Sequence, residues 1–208
     1  MPRTEIIEQL VRDGLVEAYY DTRSNSLRPL FGTNSGTPAN VTANSVRIGK
    51  GYVEVGGADD ALDVPTSASW QAANNGSLIM FGDYDWVINK RFCLYGAFPR
   101  LLLEWLGTPG NMRIRTSGGN RSFLGFREGP YKTIAIDFWS TDVAPKLYLD
   151  GEYAVDANGT AAVTLDSLTF KPGWRQDNTV NRHKGFIWTN QRMTAVQHRQ
   201  IHRELHDL

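Results

Sequence analysis

The chain holds a single cysteine, Cys93, in 208 residues, so no disulfide can close within it. Set in the apolar run Phe92-Cys93-Leu94-Tyr95, a lone thiol reads as a small buried hydrophobe rather than a reactive group. Neither sign of charge is in excess: Lys plus Arg and Asp plus Glu number 22 each. A domain built to grip phosphate backbones carries a strong basic surplus, so no nucleic-acid partner is expected. No apolar run approaches the ~20 residues of a membrane-spanning helix, and no membrane partner is expected. The opening MPRTEIIEQLVRDG contains acids and lacks the apolar stretch of a secretory leader, which predicts synthesis and folding in the cytoplasm. The sequons at Asn40, Asn75, Asn120 and Asn158 therefore carry little weight. There is no Gly-x-Ser-x-Gly and no Cys-His pairing that the sequence can place, so nucleophilic hydrolase chemistry has no supporting motif.

What the chain does have is aromatic residues, with six Trp, eight Tyr and nine Phe, and 20 glycines. Both suit strands and tight turns. Residues 133–140 alternate, with Ile134, Ile136 and Phe138 on one face and Thr133, Ala135, Asp137 and Trp139 on the other. Residues 146–149 form a second apolar run. Asp150-Gly151 then supplies the residue types that a two-residue hairpin requires, and 152–155 return. Further strands are expected at 15–21, 45–48, 52–55, 77–81, 85–88, 92–98, 100–106, 112–117, 122–126, 165–170 and 184–188. Gly49-Lys50-Gly51 and Gly118-Gly119-Asn120 read as turns. Residues 22–44 read as a polar loop, pinned to the body at most through Leu30 and Phe31. Amphipathic helices are expected at both ends: 3–13, with Thr4 as N-cap and Gly14 as stop, and 194–208, opened by the capping box Thr194-x-x-Gln197. Many short strands with no βαβ unit predict an all-β, two-sheet antiparallel sandwich. The division expected is an N-terminal helix or arm at 1–14, which either covers the sandwich or docks on a partner subunit, and one domain at 15–208.

The later part of the chain resembles a known family. Leu147-Tyr148-Leu149-Asp150-Gly151, Gly185-Phe186-Ile187 and Asn190-Gln191-Arg192-Met193, followed by a short terminal helix, are similar to the concanavalin A-like lectin/glucanase superfamily, in particular its laminin-G-like jelly-roll branch. Tyr131 stands where that pattern has Trp. The resemblance covers about the last 80 residues and implies a jelly-roll sandwich. Glycosidases of that superfamily carry paired carboxylates on one strand, as Glu-x-Asp-x-x-Glu or a near variant. No such run occurs here; Glu104 and Asp137 are isolated and read as solvated or salt-bridged. The expectation is a protein that is not an enzyme.

Loop acids could bind Ca2+, as laminin-G-like domains do: Asp59, Asp60 and Asp63, or Asp83 and Asp85. Turn-forming, solvated roles are the plainer reading, and no cofactor is otherwise expected. His198, His202 and His206 recur at i, i+4, i+8. They read as a polar helix face, with metal chelation or pH sensing as the alternative. If Ile134, Ile136 and Phe138 point inward, then Asp137 and Trp139 point out. By the same alternation so do Arg113, Arg115 and Tyr148. Aromatic rings beside Arg and Asp compose a ligand or partner face, for a glycan or for another protein. A lectin-like fold without disulfides or leader is reconciled by one class, the bacteriophage virion protein. The expected function is thus a structural or adhesion component of head, fibre, tail or baseplate, with other virion proteins as partners and cell-surface glycans as possible ligands. A stand-alone carbohydrate-binding module is the alternative, and a divergent glycan hydrolase a more distant one.

Overall fold

A computed structural model describes residues 5–21, 29–32, 42–44, 47–49, 51–55, 61–64, 76–84, 91–93, 102–105, 112–116, 119–123, 129–138, 146–154, 156–158, 168–172 and 181–206. Helix α1 (Glu5–Arg12) opens the chain. The strands follow as β1 (Val16–Asp21), β2 (Pro29–Gly32), β3 (Thr42–Asn44), β4 (Arg47–Gly49), β5 (Tyr52–Val55), β6 (Ala61–Val64), β7 (Gly76–Tyr84), β8 (Arg91–Cys93), β9 (Leu102–Trp105), β10 (Met112–Thr116), β11 (Gly119–Phe123), β12 (Tyr131–Phe138), β13 (Lys146–Leu149), β14 (Glu152–Tyr153), β15 (Asp156–Asn158), β16 (Leu168–Pro172) and β17 (Asn181–Thr189). Helix α2 (Ala195–His206) comes last.

Among the described residues these strands make two antiparallel sheets. The first runs β14-β13-β12-β7-β17-β1-β2, with β5 also on β17 and β4 on β5; the second runs β15-β11-β10-β9-β8-β16-β6-β3. The protein is a two-sheet antiparallel sandwich with short terminal helices, as expected. Several strands escape sequence reading. β2 and β3 fall within the expected 22–44 loop, and the backbone of β2, which carries Leu30 and Phe31, pairs with β1. β6 and β15 are three or four residues long and owe their form to their neighbours rather than to local pattern. Gly119 and Asn120, read as a turn, instead pair with Thr116 and Arg115. The expected strand at 85–88 and the expected cap Thr4 lie outside the described residues.

The Asp150-Gly151 turn forms as read, with φ of 48° and 79°. Its geometry is pinned from beneath. Asp150 Oδ1 accepts hydrogen bonds from the amides of Lys132 at 2.7 Å and Thr133 at 3.0 Å, and the Asp150 amide donates to the Thr133 carbonyl.

Register sorts the first sheet into two buried faces. Leu147, Ile136, Leu78 and Trp188 are successive cross-strand neighbours, as are Ile134, Met80 and Phe186, and all of them are buried. On the opposite face the row is Tyr148, Ala135, Ile79, Ile187 and Tyr19. The terminal helices cover this second face: Ile7 and Leu10 of α1, with Ile201 and Leu205 of α2, join the row in one core cluster. An eight-residue helix is too short to persist alone. Burying Ile7 and Leu10 at about 1.5–3 kcal/mol each is what holds α1 in place. Its N-terminus is closed from across the cluster, because Glu204 Oε1 accepts from the Ile6 amide at 2.7 Å. Burial pushes the Glu204 carboxyl up, partly opposed by the Ile6 and Ile7 amides. The capping box of α2 forms as read, Thr194 N–H to Gln197 Oε1 at 2.8 Å and Gln197 N–H to Thr194 Oγ1 at 3.2 Å.

Candidate functional site

The expected ligand face does not assemble. Arg113 and Arg115 lie on β10 in the second sheet, whereas Asp137 and Tyr148 lie on β12 and β13 in the first. Trp139 is outside the described residues. Asp137 and Tyr148 do not face solvent either; they are 2 % and 4 % exposed. The reason is α2, which roofs the face that strict alternation assigns to water.

Beneath that roof the contacts are specific. Ser77 sits opposite Asp137 across the β7–β12 ladder, and its Oγ donates to Asp137 Oδ1 at 2.5 Å. His198 Nε2 lies 2.9 Å from the same oxygen. A carboxylate only accepts, so Nε2 carries the proton. Ser77 Oγ in turn accepts from the Met193 amide at 2.9 Å, which fastens the approach to α2. Ser, His and Asp are the residue types of a hydrolytic triad, but here the carboxylate occupies the middle. The serine proton points to the acid rather than to imidazole, and all three groups are buried. The arrangement does not activate a nucleophile; it clamps the helix to the sheet.

The histidine stripe is corrected likewise. Two of its three members, His198 and His202, meet the sheet rather than solvent. His198 stacks on Tyr148 with ring centroids 3.8 Å apart. His202 Nδ1 lies 3.0 Å from Thr133 Oγ1, and burial is the main cause that lowers its pKa. His206, one turn on, is exposed. Calcium fares differently at each acid. Asp83 is bracketed by Lys132 and Lys184, whose charges outweigh the opposing effect of burial and hold its carboxyl below the ordinary value; a doubly neutralised carboxylate is a poor cation ligand. Asp63 falls in β6, while Asp59, Asp60 and Asp85 lie outside the described residues. No group of three or more His, Cys, Asp or Glu among the described residues is placed to hold a metal.

Among the described residues, one edge of the first sheet is formed by β14. Tyr153 of β14 pairs with Tyr148 across the hairpin, their rings 5.4 Å apart and tilted. The aromatic series therefore runs outward from His198 through Tyr148 to Tyr153. Tyr153 is 40 % exposed, and with Val196 on the first turn of α2 it is one of two exposed large hydrophobics among the described residues. Lys146 Nζ stands 5.7 Å over the Tyr153 ring. Glu152 pairs with Arg199 at 3.7 Å, and Arg199 lies one helical turn from Val196 on the same flank. Burial first, then the charge of Asp137 and the neighbouring Tyr153, push the Tyr148 phenol up to about 12, so it stays protonated as part of the platform. An exposed ring with an ammonium over it, on a hairpin that also carries an ion pair, can stack on an apolar face and orient hydroxyls. Tyr153 went unselected in the sequence, although the two-residue turn sets it opposite Tyr148 and the pair is readable from that turn. A second polar row lies on the other sheet, where Glu104 sits between Arg91 and Arg113 in register.

The chain is similar in fold to the binding domains of botulinum neurotoxins. Against the serotype C1 binding domain the TM-score is 0.67 at 12% identity, covering 93% of this chain and 53% of the other. Against neurotoxin type C, which depends on interaction with two ganglioside molecules to enter cells, the values are 0.61 and 13%, covering 95% and 53%. Against the serotype D ligand-binding domain in complex with N-acetylneuraminic acid they are 0.58 and 11%, covering 92% and 52%. This chain thus spans about half the length of each. At such identities the likeness establishes the β-sandwich fold. It points neither to the concanavalin A-like family nor to a bacteriophage. No family model matches the sequence, and no curated protein does.

Proposed function

We propose that this protein is a non-catalytic carbohydrate-recognition module that binds cell-surface glycans through the β13–β14 edge. The observation that carries the reading is Tyr153, an exposed ring at a sheet edge with Lys146 over it and, at the preceding residue, Glu152 paired with Arg199. Fold likeness to binding domains crystallised with N-acetylneuraminic acid or dependent on gangliosides lends it support. The clamped, solvent-excluded order Ser77–Asp137–His198 supports leaving catalysis out of the role. Placement in a bacteriophage particle is a narrower form of the same reading. None of the matched structures described above speaks for it, and co-purification of the chain with assembled particles is the observation that would establish it.

The test is a glycan array, with neutral and sialylated sugars, run on the parent, Tyr153→Ala and Trp139→Ala. The reading expects saturable binding to at least one glycan class, reduced tenfold or more in Tyr153→Ala, since a stacked aromatic contact contributes about 0.5–1.5 kcal/mol beyond its buried area. Melting of the variant should match the parent, because the ring is already partly in solvent. Absence of binding to any glycan refutes the function. Binding lost only in Trp139→Ala keeps the function and moves the site away from this edge.

A further inference from the structure

We propose that the last turn of α2 carries a transition-metal site built from His202 and His206, suited to Zn2+ or Ni2+. This goes beyond glycan recognition and stands independently of it.

Spacing comes first. Residues four apart face the same side of a helix, and the His202 and His206 rings have centroids 5.5 Å apart with planes at 60°. Two imidazoles bound to one cation at Zn–N of ~2.0–2.1 Å have centroids separated by roughly 5–6 Å. The rings therefore stand at chelating separation with the backbone as it is.

Orientation comes second. A metal-binding histidine typically gives its other ring nitrogen to a hydroxyl, carbonyl or carboxylate, which fixes the tautomer and aims the ligating lone pair. His202 has that arrangement: Nδ1 lies 3.0 Å from Thr133 Oγ1, and Asp150 Oδ1 is behind it at 3.8 Å. If Nδ1 donates to Thr133 Oγ1, the nitrogen left to ligate is Nε2, for which no hydrogen-bond partner is found among the described residues.

Charge comes third. Asp150 and Glu152 act on His202 with a field that favours a cation, against the opposing charges of Arg203 and His206. With two protein ligands the remaining coordination positions fall to water, which makes an open site of borderline nitrogen character. Such a donor set favours Zn2+, Ni2+ or Cu2+ over Mg2+ or Ca2+. A cation bridging i and i+4 would also fasten the end of the helix whose Ile201 and Leu205 close the core.

The experiment titrates the full-length, untagged chain with Zn2+ and with Ni2+ by calorimetry, alongside thermal melts with and without metal. The expected result is one saturable site per chain, a metal-dependent rise in Tm, and loss of both in His206→Ala. His206 is exposed, so that variant should keep its fold, and its metal-free melt supplies the baseline against which the metal-dependent rise is read. His202→Ala removes the Thr133 contact as well and serves only as a companion. No saturable binding in the parent overturns the proposal. Equal affinity in parent and His206→Ala also overturns it, by placing the cation elsewhere. Ca2+ binding at the same site overturns the chemical assignment.

Discussion

Replacing Asp137 by alanine tests the clamp that holds α2 on the sheet. The carboxylate is 2 % exposed and on one oxygen accepts hydrogen bonds from Ser77 Oγ at 2.5 Å and His198 Nε2 at 2.9 Å. Its removal strands two buried donors. An orphaned buried donor costs about 1–3 kcal/mol, more where the lost acceptor was charged, and two are stranded here. A loss of about 3–4 kcal/mol follows. For a chain of this size 1 kcal/mol moves Tm by roughly 2–4 °C, so the midpoint should fall by about 6–16 °C. Denaturant unfolding followed by tryptophan fluorescence reads the free energy directly. His198→Phe keeps a flat ring on Tyr148 while deleting the donor, so the double variant closes a mutant cycle. Groups sharing one oxygen should couple by about 1 kcal/mol or more. Asp137→Ala within about 1 kcal/mol of the parent, or single variants that simply add, would show that the clamp is not a unit and refute the reasoning.

Gly151→Ala should cost roughly 2 kcal/mol or more, because φ is +79° and a Cβ would stand 2.9 Å from Arg199 Cα and 3.0 Å from His202 Cβ. Gly14→Ala, at φ +69° with nothing within 4 Å, isolates the backbone component at about 1 kcal/mol; equal losses in the two variants would rule out steric contact with α2. Burial drives the His183 pKa from 6.5 down to about 3, so between those values the unfolded chain binds the extra proton and stability falls as pH falls. Chemical denaturation at a series of pH values should show a slope approaching 1.4 kcal/mol per pH unit below about pH 6 from this group. The slope should be shallower in His183→Phe, and an identical slope in both would discount His183 as the source.

The hairpin of β13 and β14 was fully legible. Asp150-Gly151 specifies a two-residue turn, and the turn specifies that Tyr148 meets Tyr153. Likewise Thr194 and Gln197 name the start of α2 from spacing alone. Strand order was not legible. β7 lies between β12 and β17, and Ser77 reaches Asp137 only because of that placement; nothing local in either segment encodes it. The error about Asp137 and Tyr148 has a more instructive cause. Period-2 alternation separates the two faces of a strand but does not say that one of them meets water. That depends on what else in the chain has an apolar stripe to bury. Ile7 and Leu10 on the first helix, with Ile201 and Leu205 on the last, require a surface, and the Ala135 row of the central sheet is where they find it. Once those stripes are assigned, the solvent face of β12 disappears, and Asp137 must find partners among groups that are buried with it. Ser77 and His198 are those partners. The exposed aromatic surface then moves from the face of the sheet to its edge, where β14 has no further strand beside it among the described residues, and a glycan reading of this fold is a claim about Tyr153 rather than about Asp137.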